Sequence, residues 1–459
     1  MYSHLSAATA AVCILFGVIC YLTVTQDLHL VAHLKQHAGA ISRPFLQVPA
    51  PEDIGPLELD RRRLLPELKA KCPLVYQRPT MEELRTRQVR PYLFGGQQRP
   101  SCKNCHSVRD RGRVEFCAYT PHSYSPICPH KDQEALLQYF MERAGNGSTW
   151  AQGLLQLTPC DLWPFIRGRT LWLLGDSITQ EFMIAMECLF FEWYEDRGWE
   201  VGRGYGRFDV SNNTEALEII TKEGGVQPWC IPLPEGSRIC HIRSNMGLDW
   251  ADNVLPNLPR IGVRNTDIMV GNFAVWINND TEYTVNLGRV AEYIRSAPGR
   301  LPYIIWRDAS VQHFQTHTGD YNGAGYPFHC QPIGNDTNAV KLDINGSLST
   351  NDPDLEVVLE GGWRNRIAYP IIESLDIPIM RTWNQTVPMW NLHHHYNMRC
   401  GHQVQGCPDC THTCHPGYYQ VWIYHLYETL MASQLQIRQH MLAADSHVQF
   451  PQAAQNNAL

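Results

Sequence analysis

The chain has 459 residues, 44% apolar, 18% charged and 10% aromatic, and a formal net charge of -7. This is ordinary globular composition, able to bury a sizeable core in one large domain or two to three small ones. An acidic balance without long charge runs excludes a general nucleic-acid binder, and the short basic run Arg61–Arg63 reads as a solvated stem feature.

In chain order, residues 1–6 form a short tail without Lys or Arg, expected to be cytosolic. Ala7–Thr25 follows as 19 residues without a charge, about the length of a bilayer span. It reads as a single signal anchor rather than a cleaved signal peptide, because no clear small-x-small site follows the apolar run. Residues 26–71 carry Pro and charge without a core pattern and read as a stem. Of 16 cysteines, two (Cys13, Cys20) lie in the anchor, leaving an even 14 beyond it. Six N-x-S/T sequons, at Asn146, Asn212, Asn279, Asn335, Asn345 and Asn384, accompany them. Both features suit an oxidising, glycosylating lumen, hence a single-pass type II membrane protein with a luminal body, or else a secreted or cell-surface one.

Residues 72–160 are cysteine-rich and read as loop-rich. Within them, Cys102–Cys128 could bind zinc, but its spacing after the first CxxC is irregular and disulfides fit the lumen better. From about residue 161 to 440 strands and helices alternate. "RTLWLLG" is a buried strand followed by a helix from Ser177 to about Tyr194, and "TDIMVGN" is a second strand. "VNLGRVAEYIRSA" is a helix before the strand "LPYIIWRD", and "WRNRIAYPIIESL" a helix before "IPIMRTW". A long helix from Gly417 ends the domain, and 441–459 is a tail. Such alternation predicts a parallel sheet between helical layers, a three-layer α/β/α fold with its site at the carboxyl ends of the strands. Ser177, Asn272 and Arg307 fall at such ends.

Ser177 opens a helix after "LWLLGD", so it is either an N-cap or a nucleophile at a strand-to-helix turn. A serine nucleophile needs a base, a group to orient it and donors for the oxyanion. Among 20 histidines the best placed is His412, three residues after Asp409 in "GCPDCTHTCHPG" (Gly406–Gly417), a loop pinned by cysteines. A zinc site on Cys400, Cys407, Cys410 and Cys414 is the alternative for that loop. The run His393–His395 reads as an exposed loop near the cleft rather than a metal site.

"PFIRGRTLWLLGDSITQEF" and "PDCTHTCHPG" resemble the GDS and DxxH motifs of the PC-esterase / trichome-birefringence-like family, SGNH-type (GDSL-like) polysaccharide O-acetyltransferases and esterases. "TDIMVGNFAVW" resembles the family's strand ending in Asn, and "IIWRDASVQHFQTHTGDYNGAGYPFHC" its Arg–x–x–Ser–x–x–His–Phe segment. The four segments cover about Pro164 to Leu430, in order. The resemblance implies Ser177 as nucleophile, His412 as general base and Asp409 as its partner. Asn272 and the Ser177 backbone N–H would hold the oxyanion, with Gly247 as a further donor. Arg307 and His313 match family positions and could be structural, and Asp176 is a turn residue rather than a catalyst. It also implies O-acetyl transfer to a glycan or cell-wall polysaccharide in the Golgi lumen. No cofactor is expected beyond an external acyl donor, which a membrane protein could supply. A carbohydrate esterase would share every one of these residues, and a glycan-binding or wall-organising protein could keep the fold without the chemistry. The chain departs from the family at Gln180, where Arg is usual, in "FAVW" after Asn272, at Thr413, and in "NLHHHYNMRCGH" before DxxH.

Overall fold

A computed structural model describes residues 76–95, 130–193, 208–395 and 408–448, together with Cys72, Pro73 and Cys128. The tail, the anchor and the stem lie outside the described residues, as do Cys102, Cys400 and Cys407. Among the described residues no helix is long and apolar enough to cross a membrane.

The first strand, β1 (Thr170–Gly175), is buried along its whole length. Its side chains alternate between two cores: Leu171 and Leu173 join one, Trp172 and Leu174 the other. That two-faced burial is why the segment is continuously apolar rather than alternating, and each leucine sealed this way contributes about 1.5–3 kcal/mol. The central sheet contains β2 (Phe208–Asp209), β3 (Trp229–Pro232), β4 (Arg238–Arg243), β5 (Ile268–Asn272), β6 (Tyr303–Arg307) and β9 (Ile379–Met380), in the order β2-β3-β4-β1-β5-β6-β9. Its last five strands run parallel, while β2 and β3 are an antiparallel edge. Two hairpins, β7 (Val340–Leu342) with β8 (Leu348–Thr350) and β10 (His393–His394) with β11 (Asp409–Thr413), stand apart from it.

On the face of Leu171 and Leu173 lie α1 (His130–Gly145), α2 (Thr149–Gln156), α3 (Pro159–Ile166), α4 (Ser177–Leu189) and α8 (Tyr418–Ala432). The opposite face carries α5 (Thr214–Gly224), α6 (Asp280–Ser296) and α7 (Gly362–Glu373). The mixed α/β fold with helices on both faces of a mainly parallel sheet is therefore as expected. Taken in chain order, the parallel strands stand 2-1-3-4-5, which puts the topological switch point between the carboxyl ends of β1 and β5. At that edge Gly175 is the register partner of both Arg243 and Asn272.

Several expectations need correction. Residues 130–166 form three helices, not loops, because Leu136, Phe140, Trp150, Leu154, Leu162, Trp163 and Phe165 supply a helical apolar face to the core. The final helix breaks at Ser433 and resumes as α9 (Gln434–Val448), so helix extends into the segment read as a tail. The strands β3 and β4 had no counterpart in the sequence reading. Among the described residues four disulfide pairs are seen: Cys72–Cys160, Cys128–Cys414, Cys230–Cys240 and Cys330–Cys410. They take Cys128, Cys410 and Cys414 out of both zinc alternatives, since a disulfide sulfur is no thiolate. Five sequon asparagines are exposed, while Asn384 is half-buried and donates to the Gly346 carbonyl at 3.2 Å.

Candidate active site

The turn after β1 is built around a glycine. A Cβ on Gly175 would sit 2.4 Å from the Asn272 carbonyl oxygen and from Thr179 Oγ1, so the strand end and the helix start can close on each other only here. Asp176 then takes the N-cap: its Oδ1 accepts from the N–H groups of Ile178 at 3.1 Å and Thr179 at 3.4 Å. The cap competes for one side chain, and aspartate wins it. Ser177 becomes the first residue of α4, with its hydroxyl released from capping and half-exposed at the sheet's carboxyl edge.

The segment read as a pinned loop is strand β11, held antiparallel to β10 with His393 opposite Thr413 and His394 opposite Asp409. Cys410 is tied to Cys330 and Cys414 to Cys128. The His313 N–H donates to the Cys410 carbonyl at 3.1 Å, and Gln312 Nε2 donates to Thr411 Oγ1 at 3.0 Å. So fastened, β11 carries His412 to Ser177, 235 residues away in sequence: Nε2 lies 2.8 Å from Oγ. His412 Nδ1 lies 2.8 Å from Asp409 Oδ2, while Asp409 Oδ1 accepts the N–H groups of Thr411 at 3.0 Å and His412 at 3.1 Å. A carboxylate can only accept, so Nδ1 bears the ring proton and Nε2 is left to accept from the serine hydroxyl.

The electrostatics fit a base. Burial opposes the charged form of His412, but the bond to Asp409 and its charge outweigh burial and hold the imidazole above its usual value. Burial likewise opposes the Asp409 carboxylate, yet His412 and the two backbone donors hold it well below the usual range. Two further groups flank the imidazole. Glu181, one turn after Ser177, accepts from His415 Nε2 at 2.9 Å; burial works against its charge, and His415 outweighs that to keep it ionised. His394 stacks on His412 with centroids 6.1 Å apart and planes 18° apart.

The remaining expected residues occupy different places. Asn272 is buried at the end of β5, and one hydrogen of its amide goes to the Arg307 carbonyl at 2.7 Å, leaving a second hydrogen. Gly247 has a packing reason to be glycine: a Cβ there would lie 2.3 Å from the Phe273 ring. Arg307 is buried beneath α4, donating to Thr179 Oγ1 at 3.2 Å and to the Asp308 carbonyl at 2.8 Å, with its guanidinium 4.2 Å from the Trp422 ring centroid. It braces the strand end instead of facing the cleft. His313 is also buried, bonded to His393 and Val387. Of the run His393–His395 only His395 is exposed: His393 and His394 form β10, and His393 is buried because its ring is turned into the protein behind β11.

Residues missed by sequence reasoning are Glu181, His393, His394 and Arg243. The signal for Glu181 was its helical spacing from Ser177. Arg243, at the end of β4, donates to Gln180 Oε1 at 2.9 Å. A guanidinium thus reaches the turn where the family pattern has arginine, but from another strand. Compared with models of known protein families and with curated proteins, the chain matches none.

Proposed function

We propose that this protein is a serine-dependent acyl-transfer enzyme of SGNH type, moving an O-acetyl group from an external donor onto a hydroxyl of a glycan or polysaccharide in the Golgi lumen. The observation that carries the reading is the unbroken chain Asp409–His412–Ser177 at the switch point of the sheet. Membership of the PC-esterase / trichome-birefringence-like family, the membrane anchor and the acceptor rest on the four ordered motifs and the apolar N-terminal run.

In this reading Ser177 Oγ bonds to the acyl carbon as its proton passes to His412 Nε2, and Asp409 stabilises the imidazolium. The oxyanion receives the Ser177 N–H at the positive end of α4 and the second amide hydrogen of Asn272, with the Gly247 N–H as a further candidate. Collapse expels the donor's leaving group, which takes the proton from Nε2. A sugar hydroxyl then gives its proton to Nε2 and attacks the acyl carbon; the bond to Ser177 Oγ breaks, and Oγ takes the proton back from Nε2. Hydrolysis differs only in the acceptor, and the His412 side chain, 25% exposed, leaves water a path to that step. Transfer therefore depends on the acceptor displacing water.

The test uses the full-length protein with p-nitrophenyl acetate and an oligosaccharide mixture. An acetyl adduct on the peptide carrying Ser177, absent in Ser177→Ala, is expected, with acetyl then found on sugar. Acetate alone would make the protein an esterase. The absence of any adduct, with His412→Ala indistinguishable from the parent, would leave only the fold without its chemistry.

A further inference from the structure

Behind β11 lies a buried cluster that the proposed mechanism does not use. His393 Nδ1 is 2.9 Å from the carbonyl oxygen of His412, His393 Nε2 is 2.8 Å from His313 Nδ1, and His313 Nε2 is 2.8 Å from the carbonyl oxygen of Val387. Both rings are buried. The Tyr418 hydroxyl stands beside them, 3.0 Å from His393 Nε2, 3.4 Å from His313 Nδ1 and 3.3 Å from the Val311 carbonyl.

Three contacts lie in series, and each needs one hydrogen. A carbonyl only accepts, so His393 must carry a proton on Nδ1 and His313 one on Nε2. Two neutral imidazoles own two N–H groups in all. The third contact would then set two bare lone pairs against each other at 2.8 Å. Changing a tautomer moves the fault without removing it, because a bare nitrogen then faces a carbonyl. Tyr418 can donate to one ring nitrogen from the side but places no hydrogen between the two.

We propose that His313 and His393 hold three protons between them as an imidazole–imidazolium pair, and that this pair is the positioning element fixing the His412 peptide against Ser177. Around it, β11 presents Asp409, whose charge favours the proton, and His412. The strand of His393, β10, presents His394, and α8 presents the uncharged phenol of Tyr418. Val387 and Val311 offer only carbonyls. Burial pulls against the proton on both rings, holding His393 well below its usual value and pushing His313 down to about 4. A dry contact between two lone pairs has its own cost, because two buried acceptors face each other with no hydrogen between them. The role of the pair in catalysis rests on His412 being the base; the proton count does not.

The experiment is 15N NMR of the full-length protein labelled at histidine, with His313→Gln and His393→Gln assigning the signals by difference. Three ring N–H groups on the pair at pH 6, one of them far downfield, are expected; two would overturn the proposal. His313→Gln is the diagnostic variant, because one amide NH2 can donate to both Val387 and His393 without an extra proton. It should lose the third N–H and the pair's limb in the pH profile. His393→Phe should lower kcat about tenfold or more with KM within about twofold, since a misplaced base costs turnover before binding. A Gln variant that keeps the limb would overturn the assignment to this pair. Absence of all esterase activity in the parent would instead sink the proposed function, leaving the NMR result to stand alone.

Discussion

Under the proposed function, replacing Asp409 by Asn should cost more activity than replacing it by Ala. Asp409 Oδ1 is held by two backbone donors, the N–H groups of Thr411 and His412, at 3.0 and 3.1 Å. In Asp409→Asn only the amide oxygen can fill that position, so the NH2 must occupy the place of Oδ2, 2.8 Å from His412 Nδ1. Facing a donor, Nδ1 gives up its hydrogen, the proton moves to Nε2, and the ring points a donor at Ser177 where it needs a lone pair. In Asp409→Ala the ring loses one charge-assisted hydrogen bond of about 1.5–3 kcal/mol but keeps a choice of tautomer. At 1.36 kcal/mol per factor of ten, Ala should cost about 10- to 150-fold in turnover. Asn adds the wrong tautomer, and its loss should approach the roughly 10⁴-fold known for an equivalent change in a serine protease triad. The assay is kcat and kcat/KM for p-nitrophenyl acetate across pH 5–9, with circular dichroism to show that both variants are folded. An Asn variant as fast as the Ala variant, or faster, refutes the hydrogen-bond assignment on which this ordering depends.

Activity and stability should respond oppositely to pH near His412. Its folded pKa is raised above the unfolded value, so its contribution to stability is full below the unfolded pKa and is lost as pH rises through the folded one. The neutral base gains activity over that same window, so kcat/KM should climb while the melting temperature eases down, and a parallel rise of both would contradict the assignment. Gly175→Ala should lose activity and about 1–3 kcal/mol of stability in denaturant unfolding, because its Cβ meets backbone at 2.4 Å. Arg307→Met should cost about 2–4 kcal/mol in the same measurement, losing bonds to Thr179 and Asp308 and the Trp422 stack. Cys330→Ser opens a link of sequence separation 80, which chain entropy prices at about 4.5 kcal/mol; unchanged stability would show that β11 is held without it, by its hydrogen bonds and the Cys128–Cys414 bridge.

Hydrophobic periodicity and the apolar runs determined the sheet strands β1, β5, β6 and β9 and the helices α4, α6 and α7, because burial leaves a signature within a few residues. The pairing of Asp409 with His412 was legible for the same reason: both partners lie within three residues. Strands β3 and β4 were not, since they carry Cys, Pro, Arg and His beside only a few apolar residues. Nor could "GDS" alone say which residue caps the helix, as aspartate and serine both suit the position and a strand-to-helix turn allows either. Tertiary structure decided that Asp176 caps and Ser177 does not. It brought His412 up to Ser177 and buried Arg307 beneath the helix. It also turned His393 inward behind the base, where sequence placed an exposed loop. Those outcomes depend on partners 80 to 235 residues away, and a hydrogen bond, unlike an apolar face, writes no period into the chain that makes it.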